Sequence, residues 1–77
     1  MSTSVTGYIT ALQEQRLRLT TDEGRNLLLT VGKDAHISYG HLHLLHLANA
    51  HVKIAYTGEP NLTSGVIHSI HRVRPEP

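Results

Sequence analysis

The chain contains no cysteine, which removes disulfides, thiolate metal sites, iron–sulfur clusters and a cysteine nucleophile together. It has no Trp and no Phe, so Tyr8, Tyr39 and Tyr56 are the only members of the Phe/Trp/Tyr class. A core must therefore be assembled from Leu, Ile, Val and Ala. No apolar run approaches the roughly 18 residues that a membrane-spanning helix requires. An excess of one charge is also missing: seven Lys/Arg stand against six Asp/Glu, a formal net charge of +1. That is far from the basic footprint of a strong duplex-DNA binder. Met1-Ser2-Thr3-Ser4 lacks a basic segment followed by an apolar stretch, and the expectation is a soluble, cytoplasmic protein with no membrane partner.

What remains is a chain of 77 residues, enough for one small domain. A domain of this size buries only about 60% of its unfolded surface, and one such core rarely supplies more than roughly 3–5 kcal/mol. A partner or a second copy would add to that, and self-association or docking to a protein is expected. Histidine is the compositional anomaly, with seven copies. Below about pH 6.5 an unperturbed imidazole is half protonated, and the domain then becomes markedly basic.

The patterning is that of short strands. Val5 to Leu12 alternates, with Val5, Gly7, Ile9 and Ala11 expected inward and Thr6, Tyr8, Thr10 and Leu12 outward. Gly7 suggests a bend or a close backbone approach. Arg16 to Thr20 places Leu17 and Leu19 inward and Arg16, Arg18 and Thr20 outward, before turn chemistry at Thr21-Asp22-Glu23-Gly24. Arg25 to Val31 places Leu27, Leu29 and Val31 inward, with Leu28 apolar on the other side and in need of a cover. Tyr39 to Ala50 fits about two turns of helix in which Leu44, Leu45, Leu47 and Ala48 cluster and His43 and His46 lie one turn apart. His51 to Tyr56 is a fourth strand, and Val66 to Val73 a fifth after the turn-rich loop Gly58 to Gly65. The domain therefore spans residues 5–73, between a flexible start at 1–4 and a tail at 74–77 in which two prolines exclude a ladder.

Three strands, a short helix and two strands predict an all-β, five-stranded barrel with one helix between strands three and four. Gly7-x-Ile9, Arg16-Leu17-Arg18-Leu19, the Asp22-Glu23-Gly24 turn and Leu42-x-x-Leu45-x-Leu47 before Val52-x-Ile54 resemble the OB-type barrels of many small bacterial proteins. The resemblance runs from Val5 to Val73 and rests on weakly specific motifs that SH3-like barrels share. It implies a fold and a menu of functions, with oligonucleotide binding foremost.

Such binding needs rings for bases beside cations for phosphates. Tyr8, Arg16, Arg18 and Arg25 are expected to point outward from the first three strands as one face, with Lys33 at its rim; solvation of a strand surface is the plainer use of the same arginines. His41, His43 and His46 are the candidate metal ligands of the rival reading, a histidine-based metal-binding or pH-responsive protein. Against it, the His-x3-His pair of metalloproteases is absent, and His68 and His71, three apart on a strand, point to opposite faces unless a bulge intervenes. Asp34, His36 and Ser38 are too close in sequence for a catalytic triad. No phosphate loop is present, no cofactor is expected, and the chain reads as a non-enzymatic module presenting a barrel face to a protein or to single-stranded nucleic acid.

Overall fold

The computed structural model describes residues 2–62 and 64–73. Its elements are β1 (Thr3–Gln13), β2 (Arg16–Thr21), β3 (Asn26–Val31), a 3₁₀ turn at Lys33–Ala35, α1 (Tyr39–Leu47), β4 (His51–Thr57) and β5 (Val66–Arg72). The strands close into a barrel in the order β1-β2-β3-β5-β4, with the helix between β3 and β4. This is the expected five-stranded OB-like architecture. The predicted tail, 74–77, lies outside the described residues, whereas Thr3 and Ser4 already pair with Tyr56 and Ala55 of β4.

The core follows the period-2 pattern of the strands. Ile9, Leu17, Leu19, Leu27, Leu29, Val52, Ile54, Tyr56 and Ile67 are buried inside the barrel, with Val5, Leu12, Val31 and Ile70 partly buried against them. Each fully buried Leu, Ile or Val contributes about 1.5–3 kcal/mol relative to exposure. Gly7 sits where β1 crosses closest to β2. A Cβ there would lie 2.7 Å from the Cα of Thr21 and overlap the Thr20 carbonyl oxygen, so only glycine fits.

The expected alternation of β1 fails at one point. Ile9 pairs with Leu19 and Ala11 with Arg18, leaving Thr10 as a bulge. Beyond it Leu12 pairs with Leu17 and packs against the core, while Ala11 shares the outward row of Arg18; the predicted faces of Ala11 and Leu12 are exchanged. An extra residue shifts the register by one and therefore reverses every side chain after it.

The β3–β5 junction is short and parallel, Thr30 beside Val66 and Val31 beside Ile67. The loop between β4 and β5 extends it: Asn61 donates its backbone N–H to the Leu28 carbonyl at 2.8 Å, and the Asn61 Oδ1 accepts the Leu28 N–H at 2.9 Å. One side chain thus completes the pairing that β5 does not reach, next to the outward Leu28.

The helix closes one end of the barrel. Ser38 caps it by accepting the His41 N–H on Oγ at 3.1 Å. At the other end Asn49 adopts the left-handed conformation (φ 49°), the Asn49 N–H reaches the His46 carbonyl, and the Ala50 N–H reaches that of Leu45. That is a Schellman ending, so α1 stops at Leu47, before the expected Ala50. Leu42 and Leu45 face the core; Leu44 and Leu47, expected to cluster with Leu45, are 65% and 68% exposed. His46 anchors the helix by donating from Nδ1 to the Ile9 carbonyl at 2.7 Å.

Candidate nucleic-acid interface

The outer surface of β1, β2 and β3 is organised in rows set by the register. Tyr8, Thr20 and Asn26 form one row, Ala11, Arg18 and Leu28 the next, and Gln13, Arg16 and Thr30 the last. A chain of hydroxyls ties the rows together. Arg18 donates from Nε to Thr10 Oγ1 at 3.1 Å, Thr10 and Thr20 hydroxyls lie 3.0 Å apart, and Thr20 donates to Asn26 Oδ1 at 2.8 Å. Taken in that donor order, the chain fixes the Arg18 guanidinium through Nε and leaves its remaining donors to be used elsewhere.

The Thr10 bulge also shapes a depression. Ala11 and Leu28 supply an apolar floor, with Leu12, Leu17, Arg16 and Arg18 around it, enclosing about 350 Å³. Arg16 is half-buried at its edge, and its Nε has no hydrogen-bond partner among the described residues. Such a hollow, apolar below and cationic at the lip, suits a flat ring joined to a negative charge.

Tyr8 occupies the other end of the face. Its ring stacks on His51, which β4 places directly opposite it, with centroids 5.0 Å apart and planes inclined at 25°. His51 is held in turn by Asp22, whose carboxylate accepts from Nε2 at 2.9 and 3.0 Å. The Thr6 hydroxyl donates to the same carboxylate at 2.6 Å and is the main reason that the Asp22 carboxyl lies below its ordinary value, with His51 adding to the effect. Asp22 itself stands on the β2–β3 turn, its N–H bonded to the Thr6 carbonyl.

Charge is segregated between strands and turns. Among the described residues, Glu14, Asp22, Glu23, Asp34 and Glu59 all lie between strands, while Arg16, Arg18, Lys53 and Arg72 lie on them. Lys53 faces outward in the row of Thr6 and His71, and Arg72 shares a shallow cavity with Tyr8, Asn49 and His51. Two of the expected contact residues are less central. Arg25 is exposed in the same turn as Asp22 and Glu23, and Lys33 lines a separate cleft with Gln15, Ile37, Tyr39 and Leu42. Lys53, His51 and Arg72 were not in the expected set, although the alternation of His51 to Tyr56 already turns His51 and Lys53 outward.

The three candidate metal ligands do not meet. His46 is engaged with Ile9, and His43 stacks on Tyr39 with centroids 6.2 Å apart. His41 is exposed at the cap. Among the described residues no three His, Asp or Glu side chains are grouped to hold a metal ion. A β5 bulge, expected only as an exception, leaves His68 out of the ladder between Tyr56–Ile67 and Ala55–Ser69. There His68 donates from Nδ1 to Asp34 at 2.8 Å, and the Thr57 hydroxyl lies 2.7 Å from Nε2. The His68 bond is the main cause of a lowered Asp34 carboxyl. Hydroxyl, imidazole and carboxylate follow the order of a nucleophile relay, but none of the three lines the cavities beside Lys33, Leu28, Tyr8, Asp22 or Gln15; the contacts tie the 3₁₀ turn to β5. Asp34 thus pairs with His68 across the fold, and Ser38 serves as the helix cap.

No helix among the described residues is long and apolar enough to cross a membrane. Comparison of the chain with protein-family models, with curated proteins and with solved structures finds no match.

Proposed function

We propose that the chain is a non-enzymatic binding module whose outer barrel face takes single-stranded nucleic acid. The observation that carries this reading is the composition of that face: a Tyr8–His51 ring stack and an Ala11/Leu28 hollow, linked by a hydroxyl chain and accompanied on the strands by arginine and lysine alone. Rings accept bases of any sequence, and the guanidiniums of Arg16 and Arg18 meet the backbone between them. Balanced overall charge makes the binding modest and local rather than a property of the whole surface.

The test is fluorescence anisotropy of a labelled mixed-sequence single-stranded oligonucleotide with the wild type and with the Arg16→Ala/Arg18→Ala double variant. Binding that the double variant loses, with its melting temperature unchanged, supports the reading; equal binding by both rejects this face. A second reading, docking to a protein surface, is favoured by the exposed Leu44 and Leu47 on the helix.

A further inference from the structure

The outward side of α1 is built unlike a solvated helix. From Ala35 to Val52 the sequence has no Asp, Glu, Lys or Arg, so the entire helix carries no permanent charge. An exposed helix face ordinarily holds charged side chains. Here it holds the exposed imidazoles of His41 and His43, Tyr39, 50% exposed, and Leu44 and Leu47 at 65% and 68%. Leu42 and Leu45 already supply the face that packs on the barrel, so the outer leucines do nothing for the fold of one chain.

Gly40 adds an independent observation. A Cβ at this position would meet nothing nearer than the Ser38 Oγ at 4.0 Å. Its backbone is helical rather than left-handed, since Gly24 and Gly58 are the glycines with positive φ. Neither crowding nor conformation within the chain calls for glycine here, and glycine in a helix is less favourable than alanine. What glycine permits is the close approach of another backbone.

Gly40, His43, Leu44 and Leu47 follow the i, i+3, i+4, i+7 spacing of one helical seam. The hole, Gly40, and the protruding Leu47 lie at equal distances on either side of a point between His43 and Leu44. In an antiparallel pair of helices related by a two-fold axis through that point, each Leu47 lies over the partner's Gly40. The surface is its own complement, which is the requirement of an isologous interface. We infer that α1 is a homodimer interface, with a second copy of this chain as the occupant of its uncharged outer face. The inference stands apart from nucleic-acid binding, which uses the strands.

Nine helical residues are only about 14 Å long, so the contact is at the small end of specific interfaces and the dimer is a weak one. Sedimentation velocity of the full chain over concentrations from about 10 μM to 1 mM reads this directly, the span over which an association free energy of only about 4–7 kcal/mol shows itself. The expected result is a mass rising with concentration from 8.5 kDa towards twice that value. Leu47→Glu and Gly40→Gln, both at open positions, should each hold the mass at the monomer value with a melting temperature no lower than that of the wild type. Because the chain has no cysteine, Leu44→Cys provides a second measurement: mild oxidation should give a covalent dimer, whereas Lys53→Cys on the barrel should not. A wild type that stays monomeric at the highest concentration overturns the inference. So does a Gly40→Gln variant that associates as the wild type does, or cross-linking at position 53 and not at 44.

Discussion

Tyr8 and His51 face each other across the β1–β4 ladder with their rings stacked 5.0 Å apart, and the Asp22 carboxylate holds the imidazole through Nε2. The pair is thus set before any ligand arrives. Tyr8 and His51 come from segments more than forty residues apart, and the barrel closure is what brings them together.

Tyr8 is 37% exposed and contributes its ring to the outer surface rather than to the core. Tyr8→Ala should therefore leave the melting temperature close to the wild-type value. In oligonucleotide titrations it should weaken binding roughly 5- to 150-fold, the equivalent of about 1–3 kcal/mol for one stacked base. Wild-type affinity in this variant would remove the ring from the site.

The two lowered carboxyls give the acid limb of stability a definite sign. Asp22 and Asp34 each sit below the ordinary value of 3.8 in the folded chain. Their contribution is complete above the unfolded-state value and is lost as the pH falls through the lower folded-state value. In urea melts from pH 6 to pH 2, the wild type should lose stability below about pH 4, where unfolded aspartates bind protons first. Asp22→Asn and Asp34→Asn should each flatten that loss; an unaltered slope would show that neither contact matters.

Gly7 is the tightest point of the barrel. Gly7→Ala forces β1 away from Thr20 and Thr21, and overpacking of this kind costs about 1–3 kcal/mol. Thermal denaturation should show the loss, with Gly24→Ala as an open-space comparison whose cost comes from positive φ alone.

His46 and Asn61 hold the helix and the last loop in place through backbone groups of β1 and β3. Asn61→Ala removes one acceptor at a left-handed position (φ 71°) and should cost at least about 0.5–1.5 kcal/mol; His46→Leu, which removes the donor to the Ile9 carbonyl, should cost about the same. Hydrogen exchange should localise the effects: faster exchange at Leu28 in the first variant and across α1 in the second.

Much of the architecture is written in period-2 alternation. Leu17 and Leu19, Leu27 and Leu29, and Val52, Ile54 and Tyr56 read as inward faces because they alternate with residues that are mostly polar, Leu28 and Ala55 being the exceptions, and the barrel buries them as expected. The outward directions of Tyr8, Arg16 and Arg18 follow from the same rule. The bulges do not. Thr10 and His68 are ordinary strand residues, and nothing local marks them as the extra residue that re-aims Ala11 or frees His68 for Asp34. The helix is ambiguous for a different reason: leucines occur on every side of it, so hydrophobicity alone cannot separate the buried Leu42 and Leu45 from the exposed Leu44 and Leu47. The partners of Asn61, His51 and His68 are distant in sequence and emerge only with closure of the sheet.

The central claim, an acid-free strand face that binds single strands, is tested most directly by the salt dependence of oligonucleotide affinity. For single strands the logarithmic slope is about −0.7 per phosphate neutralised, so a face using Arg16, Arg18 and Lys53 should give a slope near −2. The Arg16→Ala/Arg18→Ala variant should lower its magnitude by about 1.4, two phosphates' worth on the same scale. Absence of binding at low salt, or a slope that the double variant leaves unchanged, would contradict the account.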